Sequence, residues 1–150
     1  MLTIREATSD DVDIVFDLIM AIARHHGQEQ YVTTSKEELR RAGFSSEPAR
    51  FGVLLAEVDG AVAGYVSWTV NYSIWRGADV MQIDDLYVWE KFRGQSVGKA
   101  LMRDARAQAQ ARGLAVMKWE VETDNRGAIK FYKNLGAEVS EKGFCRWTVE

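Results

Sequence analysis

Val12, Val15, Phe16, Ile19, Ile22 and Ala23 recur every three or four positions, the spacing of one apolar helix face. Thr8 or Ser9 precedes this run as a cap, and Asp10, Asp11 and Asp13 favour its positive end. His25-His26-Gly27 closes it, glycine being a common stop. Ser35 is set to cap a second, short helix through Leu39 to about Ala42. The period then changes. Residues 51–58 and 61–70 are apolar-rich runs joined by Asp59-Gly60, which suits a type I′ hairpin with positive φ at both central positions. Ile83, Asp85 and Tyr87 alternate with Asp84, Leu86 and Val88 as in a pleated strand. From Ser96, helical spacing returns with Val97, Ala100, Leu101 and Ala105, up to about Arg112. Residues 114–121 read as a strand. Asn125 caps a further helix to about Lys133, and Leu135-Gly136-Ala137 stops it. Val139 and residues 144–149 read as two closing strands, and residues 2–5 as the first. The order β-α-α-β-β-β-α-β-α-β-β predicts an α/β (α+β) architecture, a central mixed sheet with helices on both faces. The length of 150 residues suits a single domain, 1–150.

Composition narrows the classes. A net charge of −3 argues against a nucleic-acid partner, whose footprint is basic. One cysteine, Cys145, excludes an internal disulfide framework and a multi-cysteine zinc site, and no metal is expected. Between Phe144 and Trp147 it reads as a small strand residue rather than a nucleophile, since His25 and His26 are far away in sequence. No segment resembles a signal peptide, and no apolar stretch approaches the ~18 residues of a membrane span. A cytoplasmic location without membrane contact is the expectation.

The strand-to-helix segment from Ile83 to Met102 carries the first chemistry. Arg93-Gly94-Gln95-Ser96-Val97-Gly98 puts small residues and free N–H groups at a helix N-terminus, where donors and the helix dipole favour phosphate. An ordinary connection would use the same glycines for turn geometry. A nucleotide-binding G-x-x-x-x-G-K-[ST] loop is absent, because Arg93 stands five before Gly98 and Ala100 follows Lys99. The dinucleotide fingerprint fails too, with three residues between Gly94 and Gly98. The helix after Asn125 brings Phe131 and Tyr132, which on their own are a core ring and a core-edge phenol.

Taken together, a strand, an Arg-Gly-x-x-x-Gly loop and helix, and an Asn-x6-Tyr-x3-Gly helix resemble the GNAT N-acetyltransferase superfamily over nearly the whole chain. Ile4-Arg5-x-Ala7-Thr8, Tyr72-x-x-Trp75, Ile83-Asp84-Asp85-Leu86-Tyr87-Val88 and Phe131-Tyr132-Lys133-x-x-Gly136-Ala137 are similar to its diamine (spermidine/spermine) and thialysine branch. The resemblance implies acetyl-CoA as co-substrate, a small-molecule amine as acceptor and a homodimer. It implies that Arg93, Gly94, Gln95, Ser96, Val97, Gly98 and Lys99 cradle the pyrophosphate. Leu86, Tyr87 and Val88 would line the pantetheine arm on a strand that splays from its neighbour at a bulge, with main-chain N–H groups around Leu86 and Val88 stabilising the oxyanion.

Asp84 then matches the acid that takes the proton of the ammonium, directly or through water, and Asp85 an acid that binds the amine. A regular strand would turn these two to opposite faces, and a bulge would re-aim one of them. Tyr132 matches the tyrosine that protonates the departing thiolate. Asn125 is a helix cap and a CoA contact; Lys133 is either a phosphate contact or a solvated lysine. Tyr72, Trp75 and His26 are the amine-pocket candidates, with Trp75 alternatively packing its loop onto the sheet. Two departures stand out: Ser96 replaces the family's central glycine, and His26 and Ser73 stand where polyamine enzymes carry acids. A protein lysine or N-terminus as acceptor, or a non-catalytic acyl-CoA-binding module, are the alternatives.

Overall fold

The computed structural model describes residues 1–150. The chain forms two compact units, Met1–Trp119 and Glu120–Glu150. The first holds strands β1 (Leu2–Glu6), β2 (Gly52–Val58), β3 (Ala61–Ser73), β4 (Ala78–Val88) and β5 (Met117–Lys118). Its helices are α1 (Val12–His25), α2 (Lys36–Arg40) and α3 (Val97–Ala111); the second unit holds α4 (Arg126–Leu135). The five strands lie in the order β1-β2-β3-β4-β5, with β4 and β5 parallel and the other pairs antiparallel. This is the mixed α/β sheet that the hydrophobic pattern predicts.

Four consecutive residues of β2, Val53 to Ala56, are buried, so both faces of the sheet are covered. Val53, Leu55 and Tyr65 pack with Val15 and Leu18 of α1. Their neighbours Leu54, Val66 and Trp68 alternate to the other face, as a pleat of period two requires. There α3 supplies the buried Leu101, Met102 and Ala105, and the Arg112 guanidinium lies 5.8 Å over the Trp68 ring. The entry to α1 is fixed by charge. Thr8 N donates to Asp11 Oδ2 at 2.7 Å, and Arg5 grips the same carboxylate at 2.8 and 2.9 Å while reaching Glu57 at 3.0 Å. The Arg5 guanidinium holds the Asp11 carboxyl down at about 2.

Turn chemistry follows the sequence closely. Asp59 and Gly60 have φ of 51° and 84°, both positive as a type I′ hairpin demands. Ser35 Oγ accepts from Glu38 N at 3.0 Å to start α2. Two expectations need correction. The strand expected over residues 114–121 pairs only at Met117 and Lys118, because β4 leaves the parallel register after Gln82. The two closing strands do not form: residues 137–150 carry no regular structure, and Phe144, Trp147 and Val149 are exposed. Alternation marks a face, but a strand also needs another strand to take its main-chain hydrogen bonds, and no ladder includes these residues. Cys145 is accordingly exposed rather than a packed strand residue.

Candidate active site

β4 changes partners midway. On one side it stays paired with β3 down to Val88, which opposes Gly64. The approach there is close: a Cβ on Gly64 would lie 2.4 Å from the Tyr87 carbonyl oxygen. On the other side, pairing with β5 ends at Gln82. The register also slips on β4. Ser67 opposes Asp85 and Trp68 opposes Ile83, which leaves Asp84 as the extra residue of a β-bulge.

This slip sets which groups face outward. Trp89 N donates to Ala63 O at 2.8 Å, and hydrogen-bonded positions alternate along an antiparallel pair. Leu86 and Val88 therefore turn their main-chain groups away from β3, toward the side β5 has left. The structure thus gives the splayed strand with a free inner edge. Arg93 occupies part of it, its Nε donating to Val88 O at 3.0 Å and its guanidinium lying 5.5 Å over the Tyr87 ring.

The loop beyond is a main-chain concavity. Gly94 and Ser96 have φ of 78° and 64°, while Arg93 has φ −70° and Val97 begins α3. Arg93 is extended, whereas left-handed Ser96 followed by helical Val97 turns successive N–H groups the same way, a short anion-binding nest at a helix N-terminus. Ser96 is the N-cap of α3 by position, yet its side chain makes no capping hydrogen bond. Gln95, Ser96 and Lys99 are exposed, Gly98 is half-buried and Val97 is buried as the anchor of the first turn.

The two acids have different surroundings. Asp85 faces α1, on the side of Tyr65 and Tyr87, and accepts from the Tyr65 hydroxyl at 2.7 Å. Burial raises the pKa of its carboxyl, against which the Tyr65 hydrogen bond and the charge of His26 both act. His26 closes α1 here, and His25 stacks edge-on to Tyr87 at 6.3 Å. Asp84 is more exposed, but burial of part of its carboxyl and the neighbouring Asp85 charge also raise its pKa. A carboxylate with a raised pKa is the stronger base near neutral pH. Asp84, Asp85, His26, Leu86–Val88 and the 93–99 loop are thus brought together in the first unit.

Tyr72 and Trp75 are not. They stand at the far tip of the β3–β4 hairpin, with Trp75 fully exposed. The strand advances roughly 20 Å over the six steps from Ala78 to Asp84, so these aromatics do not wall a pocket over Asp84 of the same chain, nor does Trp75 pack its loop onto the sheet. Tyr65 belongs to none of the sequence motifs, yet it reaches Asp85. A tyrosine inside the apolar run 63–66 was the available signal, since a buried phenol must find a hydrogen-bond partner.

In the second unit, Asn125 Oδ1 accepts from Ala128 N at 3.1 Å and caps α4. Gly136, at φ 104°, ends it, with Gly136 N and Ala137 N donating to Lys133 O and Tyr132 O. Phe131 and Tyr132 are half-buried rather than core, their rings 5.4 Å apart, and Lys133 is exposed. Burial raises the Tyr132 phenol above its ordinary pKa, so it is protonated at neutral pH.

Comparison with known proteins decides the family. Residues 14–137 match the Acetyltransferase (GNAT) family. The chain belongs to the GNAT acetyltransferases. This GNAT protein is 31% identical over 143 residues to the thialysine N-epsilon-acetyltransferase of Bos taurus, covering 90% of this chain and 83% of that protein. It is 34% identical over 91 residues to the L-ornithine N5-acetyltransferase of Arabidopsis thaliana, across 60% of this chain and 40% of that one. In fold it is similar to an aminoglycoside acetyltransferase from an uncultured soil metagenomic sample, with a TM-score of 0.83 at 18% identity over 99% and 97% of the two chains. The GNAT protein is an acetyl-CoA-dependent N-acetyltransferase, and none of its helices is long and apolar enough to cross a membrane.

Proposed function

We propose that the protein moves the acetyl group of acetyl-CoA to a primary amine of a small molecule. The observation that carries this reading is the bulge at Asp84. It sets two acids with raised pKa values beside the edge that β4 frees on leaving β5. The Ser96–Val97 nest at the start of α3 fits a pyrophosphate, and the free groups of Leu86 and Val88 fit an extended amide-containing arm lying along the edge. The relatives acting on thialysine and ornithine support a small amino-acid-like acceptor.

An alkylammonium has an ordinary pKa near ~10 and attacks only after losing a proton. Asp84 takes that proton, directly or through one water, while Asp85 and His26 hold the acceptor. The nitrogen lone pair then forms the bond to the thioester carbon, and main-chain N–H of the β4 edge faces the developing oxyanion. As the C–S bond breaks, the thiolate receives a proton from Tyr132, and the phenolate so formed regains one from the attacking nitrogen as the neutral amide forms. This role rests on the resemblance and on a phenol that burial keeps protonated. Asn125, Lys99 and Lys133 are assigned to the CoA side in the same way.

The 14–137 family match runs across the border between the two units, which supports one acetyltransferase domain over 1–150. The exposed tip residues Tyr72, Ile74 and Trp75 support a homodimer, in which the aromatics would serve a second copy. The cytoplasm is the proposed location.

Thiol release from acetyl-CoA in the presence of thialysine, ornithine, spermidine, an aminoglycoside and a lysine-containing peptide tests the reading. Release with at least one small amine is expected. Preference for the peptide would move the acceptor to protein, and no release above blank while CoA binds would leave only a binding module. Tyr132→Phe is expected to cut turnover by about 10²-fold or more with acetyl-CoA affinity unchanged; full turnover would remove its acid role.

A further inference from the structure

Tyr65 lies in the middle of β3 at 0% exposure, inside the apolar cluster of Val15, Leu18, Val53 and Leu55. Its hydroxyl donates to Asp85 Oδ2 at 2.7 Å, the length of a charge-assisted O–H···O⁻ bond. The register explains the reach. Tyr65 opposes Tyr87 and Ser67 opposes Asp85, so Tyr65 and Asp85 are diagonal neighbours on one face. Burial and the charges of Asp85 and Asp84 push the phenol far above its ordinary pKa, so it stays a donor at any working pH. Asp85 Oδ1 takes no hydrogen bond from the chain, and no enclosed side-chain oxygen lacks a partner, so Oδ1 reaches the surface.

We propose that Tyr65 is a positioning residue of the acceptor site, fixing Asp85 through Oδ2 in one rotamer so that Oδ1 is presented to the cationic amine. It rests on the reading of Asp85 as the amine anchor. Tyr65 itself touches neither substrate. Its hydroxyl also opposes the burial that would otherwise protonate Asp85, by bonding to the ionised form. The other groups facing this carboxylate are His26 from α1 and Asp84 from β4. Arg93 lies over the Tyr87 ring.

Tyr65→Phe keeps the buried ring and removes only the hydroxyl. It is compared with Asp85→Asn and with the double variant, using two readouts. In a carbon-detected NMR titration of the ligand-free protein, Y65F is expected to raise the Asp85 midpoint by about one pH unit. In steady state, Y65F is expected to raise the KM of the best amine of the panel by about tenfold, leaving the acetyl-CoA KM unchanged. The acidic limb of kcat/KM should move upward with the Asp85 midpoint. Adding Y65F to D85N should change nothing further, since the hydroxyl acts only through that carboxylate. An unmoved Asp85 midpoint in Y65F, or a wild-type amine KM in Y65F while D85N is impaired, overturns the proposal alone. A D85N variant with normal amine KM overturns the anchor reading and this proposal with it.

Discussion

Ser96 shows what a single backbone position costs. At φ 64° and ψ 19° it holds a left-handed conformation without a capping bond to offset it. For a residue with a Cβ that region costs about 1–2 kcal/mol, part of which glycine would regain and part lose again to unfolded-state entropy. Ser96→Gly is therefore expected to raise the unfolding free energy by up to about 1 kcal/mol and to leave the acetyl-CoA Kd within about twofold. Denaturant titration and calorimetry check it; a tenfold weaker Kd would mean that the hydroxyl itself binds phosphate. At this scale the sequence marked the departure from glycine but not its conformation. Asp85 was legible as an acid in a strand, while Tyr65 was not legible as its partner, because the diagonal contact depends on a register the sequence does not state.

Among the elements, β4 does most to make the site. It takes helix cover from both faces, loses β5 after Gln82, and gains a bulge at Asp84. Its alternation and the turn at Asp59-Gly60 were readable because both are local patterns. The bulge was open in the sequence, since either regular or bulged pairing fits the same residues. Misreadings came where an element needs a distant partner. Residues 144–149 alternate like a strand but have no ladder, and the 72–75 aromatics lie roughly 20 Å of strand from Asp84 of their own chain, a separation that no local pattern states. An exposed Trp75 between Ile74 and Arg76 at the hairpin tip suits a contact with a second copy. Trp75→Ser is expected to shift the protein toward monomer in sedimentation equilibrium without lowering the thermal midpoint of the monomer. An unaltered mass distribution would separate the tip from assembly.

For the molecule as a whole, the acidic net charge of −3 does not oppose the proposed phosphate loop, because main-chain N–H groups at a helix N-terminus would serve it with Arg93 and Lys99 as local cations. The most direct measurement is amide hydrogen exchange, residue by residue, with and without acetyl-CoA. Protection is expected at Leu86, Val88 and Gly94 to Val97, the free edge of β4 and the nest, while the β1–β2 ladder is unchanged. Protection that spares the β4 edge and this loop, with acetyl-CoA bound at saturation, would contradict the account.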